Sequence, residues 1–232
     1  MKNFRFLTDN KLLMRSESLY RLKRKDRKFL FQENGIKVVI DLRTNQESQD
    51  KKDYIPKGVK YFHLPLISME EMGASSEKEG KRLVIKEHKL PDIYNYYQRL
   101  VYPKRKENWS KIFDILLNEG GPILLHCTVG KDRSGITSAM ILYALGKTMD
   151  EIYEDYLKTN EHIIIPFSYR LFALSLDKDF RKEFMEYFRA KKEYIDSAFA
   201  YISQEYGGLD GFLKQICLLD DEKINKLKKK YL

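Results

Sequence analysis

The sequence predicts an α/β fold, a mostly parallel central sheet flanked by helices and followed by a helical C-terminal portion. Three observations predict it. Short apolar, β-branched runs, "KVVIDLR" (37–43), "VKYFHLPL" (59–66) and "PILLH" (122–126), alternate with stretches of helical apolar spacing. Continuous apolar runs of strand length suit a sheet covered on both faces. From about Asp177 onward every segment has helical spacing.

The elements follow in order. Residues 24–32 have a helical pattern that Asn34-Gly35 stops, and the first strand follows at once. Pro65 closes the second strand. Residues 68–89 are polar and rich in Glu, Lys and Ser, which predicts a lid-like insertion. Helical spacing returns over 91–100 and 108–118, the latter through Ile112, Phe113, Leu116 and Leu117. The third strand carries no polar residue before His126. "SGITSAMILYALG" (134–146) is apolar nearly all round, the pattern of a helix buried at the domain centre and stopped by Gly146. Thr148 with Glu151 three residues on is a capping box for the next helix. Tyr194, Ala198, Tyr201 and Ile202 form one stripe, Gly207-Gly208 breaks the chain, and helices over 209–218 and 221–231 follow. Without repeats or a low-complexity linker, residues 1–232 form a single domain with a helical portion over about 177–232.

Composition narrows the class. A hydrophobic content of 43% with mixed charge belongs to a soluble globular protein. No apolar run approaches the roughly 18 residues of a membrane span, and charges interrupt the first residues before a signal-peptide core forms. Cys127 and Cys217 are too few for a disulfide framework, so the expected location is cytoplasmic. Of the net charge of +9, most falls in residues 1–28, which hold ten Lys or Arg against three Asp or Glu. That excess suits either an anionic partner or a solvated basic face; no nucleic-acid motif accompanies it, so no nucleic-acid partner is expected.

Chemistry concentrates in "HCTVGKDRSG" (126–135). A strand, a loop and a buried helix make an anion site, because loop N–H groups and the positive end of the helix converge on one point. Gly130 permits the positive φ that curls Thr128, Val129, Gly130 and Lys131 around that point. Arg133 adds a planar fork of donors for phosphate oxygens. A thiol there, Cys127, is favoured as thiolate, placed to attack phosphorus and form a phosphocysteine. Ser134 can donate to the sulfur when it leaves. A nucleotide P-loop fails on two counts: Leu125 stands where its first Gly belongs, and Asp132 follows Lys131. His126 and Cys127, being adjacent, do not make a metal site, and neither metal nor cofactor is expected.

These residues match the H-C-x(5)-R-[ST] signature, and the chain resembles the cysteine-dependent protein tyrosine phosphatases. With Lys and Asp inside the loop it is most similar to their bacterial and fungal branch, which has mycobacterial and listerial tyrosine/lipid phosphatases among its members. "NFRFL" and "RSESLYRL" resemble the branch's N-F-R-D-L-G-G and R-S-x-x-L, although Phe6-Leu7-Thr8 replaces its Asp and Gly-Gly. "VVIDLRTNQE" resembles its D-L-R-x-x-x-E, "YEDYLKTNE" its D-Y-L-x-S-N, and the C-terminal helices its own. The resemblance implies a phosphatase-like sheet and hydrolysis of phosphotyrosine, with phosphoinositides as a second class. It gives leaving-group protonation to Asp132 rather than to a W-P-D loop, since Trp109 lies in "ENWSK". Asp92, in "LPDIY", is the other candidate acid, although Pro and Asp there also suit an ordinary helix start. Lys131 suits a substrate with more than one phosphate, or else faces solvent. His126 is expected to order the loop, Asp41 and Arg43 to tie the first strand to it, and Cys217 to be core. The remaining alternative is a phosphate-binding module without turnover.

Overall fold

The computed structural model describes residues 1–72, 77–162, 165 and 167–232. Among these, β1 (Arg5–Phe6), β2 (Leu13–Ser16), β3 (Val38–Asp41), β4 (Lys60–His63) and β5 (Ile123–His126) form one sheet in the order β1-β2-β5-β3-β4. Only the β1–β2 pair is antiparallel. The three expected strands are present, and the sheet is α/β and mostly parallel as the sequence predicts. β1 and β2 were not legible: β2 reads "LMRS", and the charge of Arg15 disguises a strand that is buried along its whole length.

Register sets up the site. Ser16 pairs with His126, His126 with Asp41, and Asp41 with His63, so four strands end level at one edge. Loops leaving the carboxyl ends of parallel strands build the crevice of such a sheet. Side chains alternate between faces. Leu13, Val38, Ile40, Ile123 and Leu125 enter the main core, while Met14, Val39 and Leu124 enter a smaller one with Leu30 and Ile36.

The helices are α1 (Arg24–Arg27, running into a π-helical stretch at Lys28–Glu33), α2 (Asn45–Asp50), α3 (Glu77–Glu87), α4 (Ile93–Arg99), α5 (Lys106–Asn118) and α6 (Asp132–Ala144). After them come α7 (Met149–His162), α8 (Phe167–Ala173), α9 (Lys178–Tyr187), α10 (Lys192–Tyr206), α11 (Leu209–Gln215) and α12 (Asp221–Tyr231). Helix α6 is the central one: Arg133 through Leu142 are all buried. It ends with Gly146 N–H on the Tyr143 carbonyl and Lys147 N–H on the Leu142 carbonyl, which satisfies carbonyls left over at a helix end. Thr148 and Glu151 make the expected reciprocal cap at α7. Trp109 is fully buried, its indole N–H on the Leu100 carbonyl, as a core residue should be.

The insertion expected over 68–89 falls partly on 73–76, outside the described residues. Its described part holds a 3-10 turn, Glu70–Met72, and helix α3. Val84 of α3 packs with Ala173, Leu176, Phe180 and Phe184 in a cluster separate from the main core. This segment is therefore docked on the α8–α9 region through apolar contact.

Candidate active site

Strand β5 delivers Cys127 to the bottom of a loop, where it is 2% exposed, and α6 begins at Asp132. Gly130 has φ +75°, and a Cβ there would stand 2.5 Å from the Ser16 carbonyl oxygen. Only glycine fits this conformation against that strand end. From behind, Asn3 Nδ2 donates to the carbonyls of Val129 (3.1 Å) and Gly130 (2.8 Å). Arg15 Nη2 donates to those of Gly130 (2.7 Å) and Lys131 (3.2 Å). A trans peptide sets N–H opposite C=O, so carbonyls pinned outward turn the amides of the same peptides into the hollow.

Asp155 of α7 holds that clamp. It accepts from Arg15 Nη1 and Arg5 Nε, each at 2.6 Å, while Arg5 also donates to Thr159 Oγ1 and to Asn3 Oδ1. Burial opposes a charge on Asp155, but the Arg15 and Arg5 guanidinium groups hold its carboxyl below the usual range. The "RS" and "DYL" stretches quoted for the resemblance thus meet behind the loop.

Arg133 is buried at the front of α6. Its Nη1 and Nη2 donate to the two carboxylate oxygens of Glu47, and Nη2 also reaches Thr128 Oγ1 at 3.2 Å. Thr128 Oγ1 in turn donates to Glu47. Arg133 Nε is buried with no partner among the described residues, a donor left for a ligand oxygen. Burial works against a charged Glu47, yet Arg133 and Thr128 bring its pKa to about 2. Glu47 received no role from the sequence, though it ends "DLRTNQE". It is the third residue after Thr44, and it completes the Thr44 capping box as well.

Under the loop lies a second charged cluster. Arg43 donates from Nε (2.9 Å) and Nη2 (2.7 Å) to Asp41 and from Nη2 to Asp53. His126 Nε2 is 3.1 Å from Asp53 Oδ2, and its Nδ1 is 3.1 Å from the Cys127 carbonyl. Burial lowers the proton affinity of His126, but Asp53 and Asp41 outweigh it and raise the pKa. Asp41, Asp53 and His126 bring ligand-type atoms within 4.8 Å of one another. The Arg43 guanidinium already supplies the cation those carboxylates need. His126, Asp41 and Arg43 are placed as expected, and Asp53, which ties them together, had no signal in the sequence.

At the mouth, Asp132 is 24% exposed by its side chain, so it can face a substrate. Its Oδ1 accepts from the Tyr97 hydroxyl at 2.6 Å and lies 3.2 Å from Lys131 Nζ. Lys131 is 4% exposed, so it does not face solvent, and it is not among the residues that line the cleft. Its ammonium meets the carbonyls of Tyr187 (3.1 Å) and Arg189 (3.5 Å) and stands over the Tyr187 and Tyr194 rings. Asp92 caps α4, accepting from Asn95 N–H at 3.0 Å, which is the ordinary helix-start role. Ser134 Oγ is buried without a partner among the described residues. A cleft of about 390 Å³ reaches the loop at Asp132 and Arg133, walled by Tyr96, Tyr187, Val84 and Leu90. Cys217 lies in the main core, where burial pushes its thiol well above the usual range.

The chain is 25% identical over 248 residues to the triple specificity protein phosphatase PtpB of Mycobacterium tuberculosis, covering 91% of this chain and 90% of that protein. It is 26% identical over 207 residues to a tyrosine-protein phosphatase of Nostoc commune, covering 84% of this chain and 65% of that one. Among solved structures, the core catalytic domain of the PP-IP phosphatase SIW14 from S. cerevisiae aligns with a TM-score of 0.39 at 17% identity, over 89% of this chain and 93% of that chain. A model of the tyrosine phosphatase family matches residues 5–232, nearly the whole chain, which therefore belongs to the tyrosine phosphatase family.

Proposed function

We propose that the protein hydrolyses phosphate monoesters, phosphotyrosine first among them, through a phosphocysteine on Cys127. The observation that carries this reading is the buried, unpartnered Nε of Arg133 beside a loop whose carbonyls are all tied away from Cys127. The phosphoryl group takes the place those donors point to. The Cys127 thiolate attacks phosphorus as the bond to the leaving oxygen breaks, and Asp132 gives that oxygen its proton. Asp132, now a carboxylate, takes a proton from water. The water oxygen attacks phosphorus, the P–S bond breaks, and Ser134 donates to the departing thiolate. Loop amides and Arg133 hold the equatorial oxygens throughout.

Phosphoinositides are the second substrate class. The mycobacterial relative is named a triple specificity protein phosphatase, which supports a substrate range wider than a single ester. Lys131 would serve a second phosphate only by giving up its contacts with Tyr187, Arg189 and Asp132. Cys127 and Cys217 are both free thiols, in keeping with a reducing, cytoplasmic setting. No helix among the described residues is long and apolar enough to cross a membrane.

Steady-state turnover of phosphotyrosine peptide and of phosphoinositide vesicles tests the reading. Cys127→Ser is expected to abolish turnover of both, and a chelator to change neither. Retained turnover in Cys127→Ser, or a wild-type protein that binds phosphotyrosine without hydrolysing it, contradicts it.

A further inference from the structure

Asp132 stands at the end of a line of buried hydroxyls. Tyr97 donates to its Oδ1 at 2.6 Å, and the Tyr156 hydroxyl lies 2.6 Å from that of Tyr97. Both tyrosines are fully buried. Burial, and then the charge of Asp132, push the ionisation of each well above the ordinary phenol range, so both stay protonated wherever the enzyme works. A phenol has one proton to donate. Tyr97 gives its proton to Asp132, so in the bond between the two hydroxyls Tyr156 must be the donor. The line therefore runs one way, Tyr156 to Tyr97 to Asp132 Oδ1.

Lys131 Nζ is 3.2 Å from the same oxygen. An oxygen that already accepts from Tyr97 and lies beside an ammonium is a poor place for a carboxyl proton. Oδ2 is left as the oxygen that carries the proton to be transferred. We infer that Tyr97, backed by Tyr156, is a positioning residue for the reaction: it fixes the carboxyl of Asp132 and keeps the transferable proton on Oδ2. This rests on the reading of Asp132 as the acid. Among the described residues, the other charged or titratable groups near Asp132 are Lys131 before α6, Arg133 on α6, Asp92 across the cleft, Tyr96 on α4, Tyr187 on α9 and Tyr194 on α10. Among the described residues only Tyr97 gives Asp132 a neutral hydrogen bond.

Leaving-group dependence separates positioning from mere support. An acid matters most for a poor leaving group and little for a good one. The test measures kcat/KM for a series from p-nitrophenyl phosphate through phosphotyrosine to an alkyl phosphate, on wild type, Asp132→Asn, Tyr97→Phe and Tyr156→Phe. Asp132→Asn is expected to show a steep dependence. Tyr97→Phe should lose roughly tenfold on the alkyl ester and under about twofold on the p-nitrophenyl ester, the scale of one hydrogen bond to a charged group. Tyr156→Phe should follow in the same direction with a smaller loss. A uniform loss across the series, or none, in Tyr97→Phe beside a steep Asp132→Asn overturns the inference and leaves the acid in place. A flat series in Asp132→Asn overturns the acid itself. Should Tyr97→Phe not fold, Tyr156→Phe decides alone by the same slope, with its melting temperature measured alongside.

Discussion

The two sides of the phosphate loop are built from different materials. Behind it are charged and amide side chains that pair with one another and with the backbone inside the protein: Asn3, Arg5, Arg15 and Asp155 on the carbonyls, and Asp41, Arg43, Asp53 and His126 beneath Cys127. In front are phenols, Tyr96, Tyr97, Tyr187 and Tyr194, with the α3 segment beyond them. The rear fixes where the backbone points, and carbonyls pinned by buried guanidinium groups cannot turn inward. The front lines the cleft, so on the proposed reading it is the side that meets the variable part of the substrate. Changes behind the loop should therefore affect every phosphate ester alike, and changes in front should separate one ester from another.

Arg15→Met gives the largest effect expected. It leaves Asp155 with Arg5 alone, removes one of the two donors on the Gly130 carbonyl and takes the side-chain donor from the Lys131 carbonyl, which costs about 3–5 kcal/mol of stability for a broken buried pair. Denaturant unfolding reads it, and turnover of all esters should fall together; a loss confined to one ester breaks the comparison. Glu47→Gln comes next, because Glu47 joins the two sides through Arg133. With its folded pKa held at about 2 against an ordinary 4.5, its contribution is fully present above about pH 4.5 and is lost as pH falls toward 2. The stability gap between wild type and Glu47→Gln should be on the order of 2–3 kcal/mol at neutral pH and close over that acid range. A gap that stays constant with pH would remove the ion pair from the account.

Gly130→Ala follows, at about 1–2 kcal/mol for a left-handed residue with a Cβ, plus displacement of the Ser16 strand end. Its loss of activity should be the same across esters. The smallest effect belongs to the front. Val84→Ala trims the cluster between α3 and α9 and should cost about 1 kcal/mol locally. Hydrogen exchange in α3 should quicken while global unfolding stays unchanged. KM for a phosphotyrosine peptide should move more than inhibition by inorganic phosphate.

The same contrast explains what the sequence shows. The order of elements within 126–135 was legible, because strand, loop, thiol and guanidinium follow one another in the chain. The rear was half legible: "RSESL", "DLRTNQE" and "YEDYLKTNE" stood out as stretches, but only the parallel register brings Ser16, Asp41 and His126 level and so gives Arg15, Glu47 and Asp155 their work. Tyr97 looked like any residue of an amphipathic helix, since helical spacing says which side is buried and not what the hydroxyl at its end will meet. Lys131 was legible only as a cation in the loop. A Lys in a phosphate loop suits a phosphate, and only the fold supplies the Tyr187 and Arg189 carbonyls that occupy it. The polar 68–89 stretch looked unattached because the Phe180 and Phe184 that Val84 meets lie far along the chain.

The central claim is that phosphorus passes through Cys127. Acid-quenching wild-type enzyme during turnover of an aryl phosphate, followed by peptide mass spectrometry, tests it directly. The expected result is one phosphoryl group on the peptide carrying Cys127, held through sulfur and missing from Cys127→Ser. A phosphoryl group on any other residue, or unimpaired turnover with none trapped on Cys127, contradicts it.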